Sequence, residues 1–363
     1  MRHNTNYLFE ISSITELSDG KNLCTNFRPM KALIIRFSSI GDIVLTTPVI
    51  RCLKLQRPDV EIHFLTKAFF EPVLKANPYI DYLHLLDNDL DATIEILKKE
   101  KFDYIFDLHH NLRTAKVKRA LQVPAFSFNK LNIEKWLYVI LKINRMPDQS
   151  IVERYFETVK TLDVKNDGQG LDYFIDEKFQ LTNRDVPMSH WAGYVGCVIG
   201  GSYGTKKLPV EKWKQLIALI PYPVILLGGP DDRDEGDLIA EPDSVKTYNA
   251  CGKFNLSESA RLVEKARVVI SNDTGLMHIA AAFKKPLVSL WGNTSPEMGM
   301  FPYYGYNNLK TIVAPLSFIA ENKNISCHPC SKLGYGRCPK RHFKCMNDLN
   351  LEAIVAFVKK SWG

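Results

Sequence analysis

Short apolar runs alternate with amphipathic segments along the first half of the chain. The apolar runs predict strands at 31–36, 61–66, 82–86 and 103–108. Helices are predicted between them at 69–76 and 90–99, and another ends near residue 56 and begins at either Asp42 or Thr47. Strands and helices in this order predict a parallel, doubly wound sheet.

The second half repeats this order after a polar stretch. Residues 163–190 are rich in Asp, Asn and Gly and are the candidate linker. Strands are predicted beyond it at 194–199, 224–227, 245–248, 267–270 and 287–291, with helices at 210–219, 233–240, 257–265 and 351–360. We therefore expect an α/β protein with two Rossmann-like domains, at 30–185 and 186–345. An accessory extension at 1–29 precedes them, and a C-terminal helix at 346–363 follows.

The most informative polar stretch runs from Ser271 to His278. It follows a β-branched, continuous run of the kind found in buried parallel strands, and it precedes a tightly packed helix. Free backbone N–H groups and the positive end of the helix dipole meet at such a corner, which suits a phosphate or diphosphate. Asp273 adds a carboxylate that can bind hydroxyls, and His278 adds an imidazole. A simple helix cap by Asp273 or Thr274 is the alternative reading.

Two further loops follow strands and are therefore expected at the same sheet edges. In the loop 38–42, Asp42 is a candidate general base or, alternatively, an N-cap. The loop 200–207 offers glycine backbone and the pair Lys206 and Lys207, which suits a departing diphosphate or a solvated connector. Two such edges facing each other would form a cleft between the domains.

Two more clusters lie after strands. The stretch 107–113 collects Asp, His, Asn and Arg side chains that could bind hydroxyls and anions. An acidic group starts the helix at 233 and is read either as a ribose or base site or as a first turn favoured by the helix dipole. Its members are Asp231, Asp232, Asp234 and Glu235.

Charge and composition narrow the ligand class. The net charge of +7 over 363 residues suits an anionic ligand or membrane surface, but it is too dispersed to indicate nucleic acid. No run approaches the roughly 18 apolar residues of a membrane-spanning helix, and residues 1–29 have no export pattern. A cytoplasmic protein is expected. The amphipathic stretch 133–143 could face lipid or the core, and the core is the expectation.

Four of the eight cysteines are clustered with the spacing C-x2-C-x7-C-x6-C. They are Cys327, Cys330, Cys338 and Cys345. One C-x-x-C with two further cysteines fits a structural zinc site, but only the first pair has ligand spacing. A compact loop of reduced thiols, with no metal, is the expectation.

Taken together, these motifs resemble glycosyltransferase family 9, the lipopolysaccharide heptosyltransferases. Residues 37–48 are similar to the family's N-terminal signature, residues 271–282 to its donor-site signature, and residues 292–296 to the turn that follows. Residues 200–209 also match, with Lys206 three residues before Pro209. The cysteine cluster is similar to a tail found in many members. The resemblance covers roughly residues 30–363.

The resemblance implies a GT-B fold and an inverting, metal-independent transfer from ADP-heptose to a lipopolysaccharide inner-core acceptor, with no cofactor. It makes Asp42 the base that deprotonates the acceptor hydroxyl, and it implies that the C-terminal helix crosses back to the first domain. It also implies contact with the lipid A-core acceptor and with the inner face of the inner membrane. The donor-binding residues would be Thr205, Lys206, Asp273, Thr274, Gly275, Leu276, Met277 and His278, with Asp232, Asp234 and Glu235 as candidates for the ribose or base. The acceptor-binding residues would be Ser38, Ser39, Gly41, Asn111 and Arg113.

Other readings differ in donor, acceptor or catalysis. A family member with another nucleotide sugar fits the same motifs, as does a non-catalytic protein that binds a sugar nucleotide or glycolipid. A dinucleotide oxidoreductase is disfavoured because the G-x-G-x-x-G fingerprint is missing.

Overall fold

The computed structural model describes residues 28–182, 184–305 and 316–363, so nearly all of the predicted extension lies outside the described residues. Two parallel sheets organise these residues. The first sheet has the order β3-β2-β1-β4-β5, and the second has the order β11-β10-β9-β6-β7-β8. The first sheet comprises β1 (Met30–Ile35), β2 (Val60–Lys67), β3 (Tyr82–Leu86), β4 (Tyr104–Asp107) and β5 (Ala125–Ser127). The second comprises β6 (Val195–Val198), β7 (Val224–Leu227), β8 (Thr247–Asn249), β9 (Val268–Asn272), β10 (Leu287–Trp291) and β11 (Ser317–Glu321).

Helices connect the strands. In the first half they are α1 (Ile40–Val44), α2 (Thr47–Gln56), α3 (Glu71–Leu74), α4 (Leu90–Glu100), α5 (Leu112–Leu121), α6 (Asn132–Trp136) and α7 (Ile151–Val159). In the second half they are α8 (Val210–Leu219), α9 (Arg233–Ala240), α10 (Leu256–Lys265), α11 (Gly275–Ala282), α12 (Lys344–Asn347) and α13 (Leu351–Ser361). The segment 40–56 forms two helices, since α1 ends before Pro48 and α2 holds that proline in its first turn.

The central strands explain why the sheets form. All residues of β6, β7, β9 and β10 are buried, as expected for parallel strands covered on both faces. In each sheet the strand order reverses direction between two neighbours, β1 and β4 in the first and β6 and β9 in the second. Ligands of open α/β sheets bind beyond the carboxyl ends of strands at such switch points. The predicted polar loops follow these four strands.

The two domains meet where α1 crosses α11. A Cβ added at Gly275 would lie 2.7 Å from Ile40, and one added at Gly41 would lie 2.5 Å from the His278 ring. Both distances are well below van der Waals contact, so only glycine permits this approach. The contact brings two corners of the cleft together. They are the β1 corner, where β1 is followed by α1, and the β9 corner, where β9 is followed by α11.

The C-terminal helix differs from the expectation. The buried face of α13, carrying Leu351, Ile354, Val355 and Val358, belongs to the apolar core of the second sheet. There it packs on α8 and β11. The expected return to the first domain is therefore wrong for this face, because its apolar stripe is covered by the second sheet.

The stretch 133–143 also differs from the expectation. It begins with α6 and continues as a wider helical turn over Leu137–Leu141. Its large apolar side chains are exposed instead of joining the core: Ile133, Trp136, Ile140, Leu141 and Ile143. In the described part of the chain, no helix is long and apolar enough to cross a bilayer.

Candidate active site

Asp42 is fixed at the corner between β1 and α1. Its Oδ1 lies 2.5 Å from a guanidinium nitrogen of Arg36, and its Oδ2 accepts hydrogen bonds from the Ser39 N–H and hydroxyl at 3.1 and 2.8 Å. Burial opposes ionisation, but Arg36 and the Ser39 hydrogen bonds outweigh it and hold the pKa of Asp42 below its usual value. With 21% of its side chain exposed, Asp42 is an ionised carboxylate that solvent can reach.

Arg36 is a site residue that the sequence prediction missed. Its guanidinium donates to the Ser38 carbonyl at 2.7 Å, to the Tyr155 hydroxyl at 3.1 Å and to the Leu108 carbonyl. The side chain is 9% exposed, and these bonds orient it toward Asp42. The sequence feature that could have revealed Arg36 is a basic residue at the end of a predicted buried strand, directly before the loop that carries Asp42.

The β9 corner carries a second carboxylate in an ion pair. Asp273 Oδ2 lies 2.6 Å from Lys206 Nζ and accepts a hydrogen bond from the Thr294 hydroxyl at 3.1 Å. Thr274 is the N-cap of α11, but its side chain makes no capping bond. The simple cap reading is therefore wrong for both Asp273 and Thr274, and no side chain of the described residues caps the first-turn N–H groups of α11.

Asn272 ties the 200–207 loop to this corner. Its amide nitrogen donates to the carbonyls of Ile199 and Gly200 at 2.8 and 3.2 Å, and its oxygen accepts from the Leu208 N–H at 3.1 Å. These bonds hold Lys206 beside α11. Of the remaining α11 residues, Met277 is fully buried in the core, so only its backbone can face a ligand, whereas Leu276 is half-buried and packs against that core.

His278 lies on α11 where this helix contacts α1. Its ring contacts the position of Gly41, and Asp273, Asp42 and Lys206 all act on it electrostatically. Burial lowers its pKa to about 4 despite the two carboxylates. The imidazole is therefore neutral at neutral pH, which suits hydrogen bonding better than charge neutralisation.

Several buried polar atoms around Asp273 lack a hydrogen-bonding partner among the described residues. They are Thr274 Oγ1, His278 Nδ1 and both amide atoms of Asn293. An unpaired buried polar group lowers the free energy of unfolding by about 1–3 kcal/mol. A protein can retain such groups where a bound ligand supplies the missing hydrogen-bonding partners. Asn293 was not among the predicted site residues, although the turn that contains it was recognised.

Lys207 and the acidic group form a separate cluster. Lys207 Nζ lies 2.9 Å from Asp232 and 2.5 Å from Glu235. Asp232 also accepts from the Gly229 N–H at 2.8 Å, whereas Asp234 is exposed. Both oxygens of Asp232 are thus used within the protein, and the structure pairs Lys206, not Lys207, with the Asp273 corner.

Three predicted ligand residues have side chains engaged elsewhere. Asn111 caps α5, with its oxygen 3.0 Å from the Thr114 N–H. The Arg113 guanidinium lies over the Phe37 ring, 5.3 Å from its centroid. Thr205 exchanges hydrogen bonds with the Tyr335 backbone at 2.8 and 3.0 Å.

A group of three lysines, two of which interact electrostatically with Asp42, was missed. Lys130, Lys135 and Lys332 act on one another electrostatically, and Asp42 acts on the first two. None forms an ion pair with a carboxylate of the described ranges. Burial, Arg154 and the neighbouring lysines lower the pKa of Lys135 to about 8, with Asp42 opposing them. Because Lys332 is some 200 residues from the other two in the chain, no local pattern reveals the group.

Comparison with known families decides the class. A family model described as glycosyltransferase family 9 (heptosyltransferase) matches residues 92–326. The chain belongs to glycosyltransferase family 9. It is therefore a glycosyltransferase, as the resemblance predicted, and the two facing parallel-sheet domains are those of the GT-B fold.

Relatives of this family 9 protein span nearly its whole length. Lipopolysaccharide heptosyltransferase 1 of Campylobacter coli is 26% identical over 358 residues, covering 92% of this chain and 99% of the relative. The family 9 glycosyltransferase of Veillonella parvula superposes with a TM-score of 0.69 at 20% identity, covering 92% and 97%. ADP-heptose lipopolysaccharide heptosyltransferase II of Escherichia coli gives a TM-score of 0.67 at 19% identity, covering 92% and 98%.

Proposed function

We propose that this family 9 glycosyltransferase moves a heptose from ADP-heptose to a hydroxyl of the lipopolysaccharide inner core, with inversion and without a metal. The observation that carries the proposal is the pairing of two corners across the α1–α11 contact. The His278 ring lies against Gly41 at this contact, one residue before Asp42, and both Asp42 and the Lys206–Asp273 ion pair act on the imidazole electrostatically. The relatives, a lipopolysaccharide heptosyltransferase and an ADP-heptose lipopolysaccharide heptosyltransferase, support heptose as the sugar and ADP as the nucleotide.

Asp42 serves as the general base in this mechanism. Its ionised carboxylate accepts the proton of the acceptor hydroxyl as that oxygen bonds to the anomeric carbon. The bond from the anomeric carbon to the diphosphate oxygen breaks, and ADP leaves with the electron pair. A single displacement of this kind inverts the anomeric carbon.

The β9 corner holds the leaving diphosphate. Lys206 and the uncapped N-terminus of α11 offset the negative charge that develops as ADP departs. Asp273 binds heptose hydroxyls, and the unpaired atoms of Thr274, His278 and Asn293 gain partners on donor binding. A cation and a helix N-terminus thus perform the charge neutralisation that metal ions perform elsewhere.

The acceptor side suits an anionic substrate. Lys130, Lys135 and Lys332 carry positive charge without carboxylate partners in the described ranges, and the first two interact electrostatically with Asp42. Phosphate or carboxylate groups of the inner core match this charge. Ser38, Ser39, Gly41 and Arg113 line the same side in the proposal, while Asn111 acts as a helix cap.

The exposed face of 133–143 is proposed to contact the cytoplasmic surface of the inner membrane, where the acceptor lipid is held. Trp136 is 54% and Ile140 is 58% exposed, and the exposed Arg145 follows them in the chain. Aromatic and aliphatic side chains flanked by cations are typical of interfacial contacts with anionic lipids. Trp136→Ser with Ile140→Ser should weaken co-sedimentation with vesicles of anionic phospholipid while leaving donor binding intact. Equal sedimentation would contradict this contact.

A donor screen tests the main proposal. Release of nucleoside diphosphate is followed with ADP-heptose, GDP-sugars and UDP-sugars and a heptose-less core acceptor. We expect turnover with ADP-heptose alone, and the same rate after EDTA treatment. Preference for another donor would overturn the donor assignment, and activity lost in EDTA and restored by Mg²⁺ or Mn²⁺ would overturn metal independence. Donor binding without turnover on any core acceptor would favour a non-catalytic binding protein.

A further inference from the structure

Two histidines and a glutamate converge near the amino-terminal edge of the first sheet, on the face that packs against α4. His63 on β2 and His84 on the edge strand β3 are diagonal neighbours, because His63 pairs with Tyr82 and Leu65 pairs with His84. Glu100 is the last residue of α4. One ring nitrogen of each histidine and one carboxylate oxygen of Glu100 lie within 4.8 Å of one another. The proposed transfer reaction uses none of these side chains.

Both ring nitrogens of His63 have defined partners. Its Nε2 lies 2.8 Å from Glu61 Oε1, and its Nδ1 lies 2.8 Å from His84 Nε2. Burial opposes ionisation of Glu61, but hydrogen bonds from His63 and Lys31 outweigh it and lower the pKa of this carboxyl. Since an ionised carboxylate only accepts, the proton of neutral His63 is on Nε2 and the lone pair on Nδ1 faces His84. A histidine that donates one ring N–H to a carboxylate and offers its other nitrogen is typical of metal sites.

Aromatic rings hold the two imidazoles in place. The His63 ring stacks on Tyr82 and on His84, with centroids 4.7 and 5.1 Å apart, and the Phe102 ring meets it edge-on at 5.0 Å. His63 is fully buried, whereas His84 is half-buried. Burial and His63 lower the pKa of His84 to about 4. Its imidazole is therefore neutral at neutral pH, the form in which histidine binds metal ions.

Lys31 balances part of the negative charge around the histidines. Its Nζ lies 2.9 Å from Glu61 Oε1 and 2.8 Å from Glu100 Oε2. Two carboxylates and one ammonium group leave this cluster with a charge of −1 when both imidazoles are neutral. Such a cluster attracts cations, and Lys31 is the group that competes with an incoming ion for Glu100.

We propose that His63 Nδ1, His84 Nε2 and a carboxylate oxygen of Glu100 bind one divalent transition-metal ion, zinc being the expected species. Imidazole and carboxylate ligands suit zinc, and water fills the fourth position of such three-ligand sites. The ion replaces the hydrogen bond between the histidines, so His84 takes the tautomer that is protonated on Nδ1. The two nitrogens separate from 2.8 Å to the roughly 3.4 Å edge of a zinc tetrahedron. The half-buried Glu100 side chain rotates to bring its oxygen to the ion.

The site lies away from the reaction. Lys31 is near the start of β1, whereas Asp42 lies beyond the carboxyl end of that strand. The four residues from Lys31 to Ile35 alone span about 13 Å. A bound ion would join β2, the edge strand β3 and the end of α4, and would thereby stabilise the first domain. It takes no part in the sugar transfer, so the site is compatible with a metal-independent reaction.

Equilibrium dialysis of the full chain against micromolar zinc, without a histidine tag, tests the proposal. We expect His84→Gln and Glu100→Gln to bind about one zinc fewer per chain than the wild type. Glu95→Gln is the matched control, because Glu95 lies on the same helix, is exposed and pairs with Lys98. It should bind as much zinc as the wild type. Cysteines also bind zinc, but they are the same in all four chains, so the difference reports this site.

Thermal unfolding gives a second readout. Zinc should raise the unfolding midpoint of the wild type and of Glu95→Gln by several degrees and leave that of His84→Gln unchanged. Lys31→Met removes the competing ammonium group and should bind zinc severalfold more tightly than the wild type.

A cluster that is held only by its own hydrogen bonds would give equal zinc content in the wild type, His84→Gln and Glu100→Gln, and that result would overturn the proposal. Weaker zinc binding by Lys31→Met would also contradict it. These readouts involve neither donor nor acceptor, so they stand whichever sugar the enzyme transfers.

Discussion

The β1 and β9 corners of the cleft differ in how fully their buried polar atoms are hydrogen-bonded. In residues 36–42, all described, each buried side-chain polar atom has a partner, and Asp42 is held by three separate contacts. At the β9 corner, Thr274, His278 and Asn293 keep buried atoms without partners in the described chain. In the proposed mechanism, the first arrangement fixes the base in place, while the second keeps unpaired polar atoms that the donor would bond.

This difference matches the separate roles proposed for the two corners, proton transfer at the β1 corner and donor binding at the β9 corner. A base must be held in one orientation and one protonation state before substrate arrives, which requires a saturated environment. A donor pocket gains affinity from groups that are already desolvated and unpaired. Substitutions at the β1 corner should therefore change turnover, and substitutions at the β9 corner should change donor affinity.

Replacing the base tests this separation most strongly. Asp42→Asn keeps the shape but removes the proton acceptor, so kcat should fall by roughly 10²–10⁴-fold while ADP-heptose binding persists. Calorimetric titration of donor and measurement of turnover separate the two effects. Asp167→Asn, which alters an Arg–Asp pair on Arg51 outside the cleft, is the matched control with near-normal kcat. Full turnover by Asp42→Asn would exclude the mechanism.

The neighbouring lysines allow a paired test of the β9 corner. Lys206→Met should raise the donor dissociation constant about 10–100-fold, because it removes the cation from the diphosphate and leaves Asp273 without its ion-pair partner. Lys207→Met should change donor affinity little, since that lysine pairs with Asp232 and Glu235. The reverse result would assign the diphosphate to Lys207.

The pH dependence tests the link between Arg36 and Asp42. In the wild type the pKa of Asp42 lies below its usual value, so the carboxylate and the activity should persist to a lower pH than an ordinary aspartate would allow. In Arg36→Met the cation that opposes the effect of burial is lost, so the pKa of Asp42 rises and the acid limb of kcat should move to higher pH. Arg51→Met should leave the limb in place. An unmoved limb in Arg36→Met would mean that another group titrates.

The smallest expected effect concerns one hydroxyl. Thr274→Val removes a buried atom without a partner in the described chain, so the free energy of unfolding should stay the same or rise by about 1 kcal/mol. Donor affinity should fall severalfold. Thr205→Val, whose hydroxyl bonds to Tyr335, should instead lose about 1 kcal/mol in a denaturant titration. A destabilised Thr274→Val would show that its hydroxyl is already satisfied without donor.

Local pattern was sufficient to predict the sheets and the two corners. Buried parallel strands are continuous apolar runs, and the polar loops at their carboxyl ends must share an edge. The α5 helix was missed because only Thr114 and Val117 are buried along it, which leaves a weak apolar stripe. The short strand β5 and the strand β11 were missed as well.

Contacts between distant segments could not be predicted. The apolar face of α13 indicates burial but does not identify the covering sheet, which is the second one. The stretch 133–143 has the same composition as a core segment, yet its apolar side chains are exposed. The Lys130, Lys135 and Lys332 group joins both domains and has no local signature.

The Gly41–Gly275 crossing has a mechanical consequence. A single methyl at Gly41 would overlap the His278 ring, and relief of that overlap requires the helices to separate by about 1 Å. Since α1 carries Asp42 and α11 begins at the donor corner, the same separation would lengthen the gap that the acceptor oxygen has to span. Gly41 and Gly275 thus set the spacing of α1 and α11, which in the proposed mechanism is the width of the gap between base and donor. A single glycine-to-alanine substitution would change that width.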